Sequence, residues 1–177
     1  MKYFLLFMIF TASCLNAFSL MEEQSDDSFI WVGGGVGTMD TADGGLLDIN
    51  ASINYSKNDR IFKLRTIHAN EMVLFGPRPN DEVWELGLLY GIRSTQGKAS
   101  VSFLAGISYT GGIYKGDPIE NNYYEELTFE TVGIPLEAQF DVNLLKYIGF
   151  SIMFYANINP EKCYGGVNFS ILIGYLP

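Results

Sequence analysis

His68 is the only histidine in the chain, so a serine–histidine–acid site or a histidine-based metal centre would have to be built on it. Glu71 lies close by and serines are plentiful, a set that would suit acyl transfer or hydrolysis at a serine. A lone histidine near a strand end is more often an ordinary side chain, and no catalytic residue is assigned. A different chemistry, ion pairing, is offered by Lys63 and Arg65 together with Glu85 and Glu137, which all fall on the polar side of otherwise apolar alternating segments. A third group, Tyr114, Asp117, Tyr123 and Tyr124, shares the stretch Gly111 to Glu126 with Glu120, Glu125 and Glu126. Acids and tyrosines of this kind can bind a cation or a partner, although a solvated loop explains them more simply.

Other motifs carry less. Gly33, Gly34, Gly35 and Gly37 lack the Lys-Ser/Thr of a phosphate loop and the GxGxxG spacing, so curvature or a close neighbour is the expected reason for them. Cys14 and Cys163 form no CxxC or Cys/His zinc pattern, and no cofactor or metal is implied. A formal charge of −9 and a pI near 4.5 argue against nucleic-acid binding, which needs a basic patch. Asn50, Asn54 and Asn168 open N-glycosylation triplets, but each lies inside a strand.

These side chains must be positioned by strands. Leu47 to Ser56 sets Leu47, Ile49, Ala51, Ile53 and Tyr55 on one side of an extended chain and Asp48, Asn50, Ser52, Asn54 and Ser56 on the other. The same period of two recurs in Arg60 to Ala69, Val83 to Ile92, Ala99 to Thr110, Val132 to Val142, Tyr147 to Ile158 and Val167 to Tyr175, and Phe29 to Met39 reads as the first strand. Short turns are expected at 57–59, 93–98 and 143–146, and long loops at 70–82 and 111–126. Pro135 cannot donate to a ladder, so a bulge or local break is expected there.

The N-terminus, Lys2 followed by Tyr3 to Ala12, has the charged and apolar regions of a secretory signal peptide. Cleavage after Ala17-Phe18-Ser19 divides the chain into a signal peptide at 1–19, an acidic leader at 20–28 and a single domain at 29–177. An alternative is lipoprotein processing at Cys14. No mature segment approaches the run of about 18 apolar residues of a membrane helix, so any spanning must be done by strands.

Which face looks inward is decided by the polar one. Its Ser, Gly, Asn, Lys63, Arg65, Glu85, Glu137 and Asp48 would pack poorly around an apolar ligand but would fill an eight-stranded lumen, where Lys63 and Arg65 are expected to pair with Glu85 and Glu137. The other face offers about five apolar positions per strand, a band on the order of 25 Å, with Tyr55, Tyr90, Tyr109, Phe140 and Tyr175 near strand ends as an interfacial girdle. The expected fold is an all-β, eight-stranded antiparallel up-and-down transmembrane barrel.

In this pattern, and in ELGLLYGI (85–92) and VGIPLEAQF (132–140), the chain resembles the small eight-stranded outer-membrane barrels of Gram-negative bacteria, of the porin-like and OmpA/OmpX type. Tyr164-x-Gly166-x-x-Phe169-x-Ile171 is similar to their C-terminal assembly signal, although Leu172 to Pro177 extend beyond it. The resemblance implies an outer-membrane location, contact with outer-membrane lipid, insertion by the barrel assembly machinery, and a structural or surface-interaction role. It also brings two lesser alternatives, a lipid A-modifying barrel enzyme using His68 and a narrow pore. The rival from another class is a soluble exported lipocalin-like barrel holding an apolar ligand, which needs the oily face inside.

Overall fold

The computed structural model describes residues 28–177 apart from 43, 72–79 and 121–122. The expected signal peptide and almost all of the acidic leader lie outside the described residues, as does the apolar stretch Met72 to Phe75, which by its sequence is expected to fold onto the rim or touch neighbouring lipid.

Eight strands, β1 (Ser28–Thr41), β2 (Gly44–Lys57), β3 (Arg60–Asn70), β4 (Glu82–Gln96), β5 (Ala99–Glu120), β6 (Tyr123–Leu145), β7 (Ile148–Ile158) and β8 (Tyr164–Tyr175), pair in sequence order, and β8 closes on β1 to form a barrel. Every pairing is antiparallel. Within the barrel wall closure leaves no free sheet edge, which would otherwise present unpaired backbone groups; the projecting β5–β6 hairpin keeps its edges. Turns at 58–59, 97–98 and 146–147 lie at the end where the described chain starts and stops, and the connections around 43, 71–81, 121–122 and 159–163 lie at the other. The first is the turn end of the barrel and the second its loop end. Asn58 and Asp59 have φ of 48° and 60°, the two left-handed residues of a type I′ hairpin.

The alternation decides orientation. Ile49 and Phe103 are each 58% exposed on the outer wall, whereas Lys63 and Arg65 are 2% and 1% exposed inside. Ile152 also faces out, half-buried. An apolar stripe around the central axis, which the lipocalin-like alternative required, is therefore not the arrangement adopted.

Several expectations need correcting. The stretch 111–126 is not a long loop: β5 and β6 run on as a paired hairpin with register shifts around Pro118, leaving 121–122 between them. Past the apolar belt both sides of a strand meet water, so no alternation marks it in the sequence. β4 continues to Gln96, which shrinks the turn expected at 93–98 to Gly97 and Lys98, and Asn143 to Leu145 belong to β6 with a register shift before Leu145. The break expected at Pro135 is present: the ladder to β5 is interrupted there and resumes in the same register.

The interior is less uniformly polar than its pattern suggested. Met39, Leu46, Ile67, Ala69, Val83 and Phe129 form an apolar cluster toward the loop end, and Trp31, Ile61, Leu89, Leu104 and Leu172 form another toward the turn end. Between them glycines let strands approach closely. A Cβ on Gly106 would sit 2.0 Å from the Leu88 carbonyl oxygen, and one on Gly35 2.1 Å from that of Phe169. Gly106→Val is thus expected to destabilise the barrel by roughly 1–3 kcal/mol, read as a lower urea midpoint at unchanged slope.

Candidate functional site

The chemistry-bearing side chains meet in the lumen, where alternate residues of neighbouring strands converge. Lys63 and Arg65 project inward from β3, Glu85 from β4 and Glu137 from β6. Lys63 Nζ donates to Glu137 Oε1 and Gln139 Oε1. Arg65 donates through Nε to Glu85 Oε1 at 3.2 Å and through Nη1 to Glu137 Oε2 at 2.8 Å, so its planar fork bridges two carboxylates. The second Glu85 oxygen accepts from Asn157 Nδ2 at 2.8 Å and from the Tyr164 hydroxyl at 2.6 Å. Beside it Asp48 accepts from the Tyr155 hydroxyl at 2.8 Å and from Asn168 Nδ2. Arg65 also lies over the Tyr155 ring, 5.4 Å from its centroid.

A second pair was not singled out from the sequence. Arg93 Nη1 lies 3.0 Å from Asp141 Oδ2, both buried, and the guanidinium stacks 4.6 Å over Trp31. The available signal was parity: continuing Leu89 and Gly91 by two positions puts Arg93 inside, but ending the strand at Ile92 hid it. Gln139 joins the two levels by accepting from Lys63 and donating to Asp141 Oδ1 at 2.6 Å. The result is one connected network of ions and amides, with Lys63 and Arg65 between Ile61 and Ile67 of the two apolar clusters and Arg93 past Leu89, nearer the turn end. Removing a buried ion from water is costly and is offset only when every partner is in place.

At the loop end three of the four residues expected in an interaction loop, Asp117, Tyr123 and Tyr124, lie together on the β5–β6 hairpin, and Tyr114 does not. Tyr114 turns to the mouth, packing on Phe129 at 6.1 Å with Lys162 over its ring at 5.2 Å. Asp117 and Tyr123 are exposed on the projecting hairpin, with Tyr124 half-buried beside them. Lys115 pairs with Glu71, the Lys115 N–H donates to Asp81 Oδ1 at 3.2 Å, and Lys162 Nζ lies 3.8 Å from Asp81 Oδ2. This clasp ties the β3–β4 connection to β5 and to the β7–β8 connection.

Burial raises the Glu71 carboxyl, but hydrogen bonds from Lys115 and the Asp81 N–H, with the Lys115 charge, outweigh it and hold the group below its ordinary range. A depressed pKa adds stability above the unfolded value near 4.5, and that stability is lost as pH falls through the folded value. Exchange of the Asp81 amide hydrogen, relative to its unprotected rate, is therefore expected to stay slow in mild acid and to accelerate only below the usual carboxylate range. Glu71→Gln should abolish that acid step.

His68 is on the outer face, its Nε2 3.7 Å from Glu82 Oε1, and among the described residues no serine joins them. Cys163 is exposed, its Sγ 3.3 Å from the Asn159 carbonyl oxygen. Asn54 and Asn168 are fully buried and Asn50 half-buried, so the glycosylation triplets face the lumen. Among the described residues no group of His, Cys, Asp and Glu is arranged to hold a metal.

No protein-family model matches the chain, and no curated protein matches it by sequence. Solved structures do match in shape. Neisserial surface protein A superposes with a TM-score of 0.62 at 10% identity, over 85% of this chain and 99% of that one. The attachment invasion locus protein Ail of Yersinia pestis gives 0.57 at 11%, over 84% and 96%. The N-terminal β-barrel domain of Pseudomonas aeruginosa OprF gives 0.58 at 10%, over 86% and 100%. The fold of this chain is that of the small eight-stranded outer-membrane β-barrels.

Proposed function

We propose that this chain is an outer-membrane barrel with a sealed lumen, whose role is to present its loop end and not to conduct or to catalyse. The observation that carries the reading is the inversion of polarity. Large apolar side chains such as Ile107, at 65% exposure, cover the outer wall, while Lys63, Arg65, Arg93, Glu85, Glu137 and Asp141 are buried within. Only hydrocarbon outside makes such a wall favourable, since exposed apolar area costs about 25 cal/mol per Å² in water. The network of ion pairs and the two apolar clusters occupy the lumen along its length, which supports a plug over a pore.

The projecting β5–β6 hairpin and its neighbours carry exposed Asp117, Glu125, Glu126 and Glu161, so the presented surface suits a cationic partner. In this it departs from Ail, whose structure has been solved with the heparin analogue sucrose octasulfate, a polyanion.

The test has two readouts on the purified full-length protein. Folding should require detergent or bilayer and give a band whose electrophoretic mobility changes on boiling. In planar bilayers the folded protein should show no sustained conductance. Solubility without detergent would overturn the membrane reading; steady ohmic steps that persist in salt would overturn the plug.

A further inference from the structure

Exposed charge is segregated between the two ends of the barrel. Among the described residues, every exposed lysine or arginine, namely Lys57, Arg60, Lys98 and Lys146, lies at the turn end. Asp59 is the one exposed acid of the described residues there, whereas Asp40, Asp117, Glu125, Glu126, Glu130 and Glu161 lie toward the loop end. The remaining described cations are placed elsewhere: Lys63, Arg65 and Arg93 are buried in the lumen, and Lys115 and Lys162 belong to the clasp.

The direction of three of these side chains matters as much as their level. Lys57 and Arg60 face each other across β2 and β3, two positions beyond the Tyr55 and Phe62 pair, and so share its outward face. Tyr55, Phe62 and Tyr90 form a row of rings with centroids 6.5 and 4.7 Å apart. Lys146 Nζ lies over the rings of Tyr147 and Tyr175, at 5.2 and 5.5 Å. Lys57, Arg60 and Lys146 thus stand outside the wall, directly beyond the aromatic girdle, and not over the mouth, while Lys98 sits on the β4–β5 turn at the same end. Rings at that level mark the boundary between hydrocarbon and headgroups, and a lysine or arginine just past it reaches the phosphates.

Resting on the membrane reading above, we propose that the turn end is a collar that binds anionic phospholipid headgroups of the leaflet it stands in. The collar selects lipid charge on that side, while the acidic loop end repels the same headgroups on the other. A competing occupant is the leader, since Glu22, Glu23, Asp26 and Asp27 precede Ser28, which enters at the turn end. The outward direction of Lys57, Arg60 and Lys146 favours lipid, because a chain segment bound there would have to lie in the headgroup layer.

The experiment uses the full-length protein in phosphatidylcholine vesicles doped with phosphatidylglycerol, and electron spin resonance of spin-labelled lipids to measure which are motionally restricted at the barrel. Labelled phosphatidylglycerol should be preferred over labelled phosphatidylcholine by roughly two- to fivefold at low salt. The preference should fall to about one in the Lys57→Gln, Arg60→Gln, Lys98→Gln, Lys146→Gln variant and be screened at high salt, where the Debye length shrinks to about 3 Å at 1 M. A variant with the three lysines changed to arginine should keep it. No preference in the natural chain, or one that survives loss of the four charges, overturns the collar. A preference that emerges only with Glu22→Gln, Glu23→Gln, Asp26→Asn and Asp27→Asn assigns the collar to the leader and overturns it too. Restriction of neither lipid means no insertion, and sinks the membrane reading with it.

Discussion

Arg65→Leu is expected to cost the folded barrel roughly 3–5 kcal/mol, the largest loss of any single lumen substitution, measured by urea unfolding of the protein folded in vesicles. Among the described residues Arg65 is the one cation that touches both Glu85 and Glu137. Without it Glu137 keeps Lys63, but Glu85 retains only Asn157 and Tyr164, neutral donors to a buried charge. Leucine also fills the space poorly, leaving both carboxylates facing an apolar side chain. A loss below about 1 kcal/mol would mean that water already reaches this level and screens it. Neutralising the whole set, with Lys63→Met, Arg65→Leu, Glu85→Gln and Glu137→Gln together, should recover much of the deficit. The single change strands ions, whereas the combined change removes them.

The second large effect is expected on the opposite face of the wall. Ile107→Arg, near the middle of β5, should cost roughly 2–4 kcal/mol for folding into a bilayer, because the guanidinium would replace an isoleucine against hydrocarbon. Its neighbour Ser108 looks inward, accepting from Asn157 Nδ2 at 2.7 Å. Ser108→Ala should cost only about 1 kcal/mol, the net worth of one hydrogen bond. The contrast between adjacent residues is the diagnostic. If the arginine proved neutral, the outer wall would be facing water, and the account of the fold as a membrane barrel would fall with it.

Much of this was legible without coordinates. The stripe Leu47, Ile49, Ala51, Ile53 and Tyr55 on β2 follows from period two, which is a property of each strand alone. So are the inward parity of Lys63, Arg65, Glu85 and Glu137 and the gathering of the short turns at one end. The boundaries of β5 and β6 were not legible, because past the belt nothing imposes alternation on Gly111 to Glu126. Arg93 was lost for a related reason: polar residues at a strand end resemble a turn, and only the ladder Arg93 to Ser102 shows that β4 continues.

The sequence by itself therefore determined which side of the wall each residue occupies, through the alternation of a strand, and that enough strands exist to close. Only the tertiary structure decided the depth at which each inward residue sits, and so that Arg65 bridges Glu85 and Glu137 while Arg93 meets Asp141. Depth depends on the stagger between strands, which is set when β8 pairs with β1 and is written in no single segment.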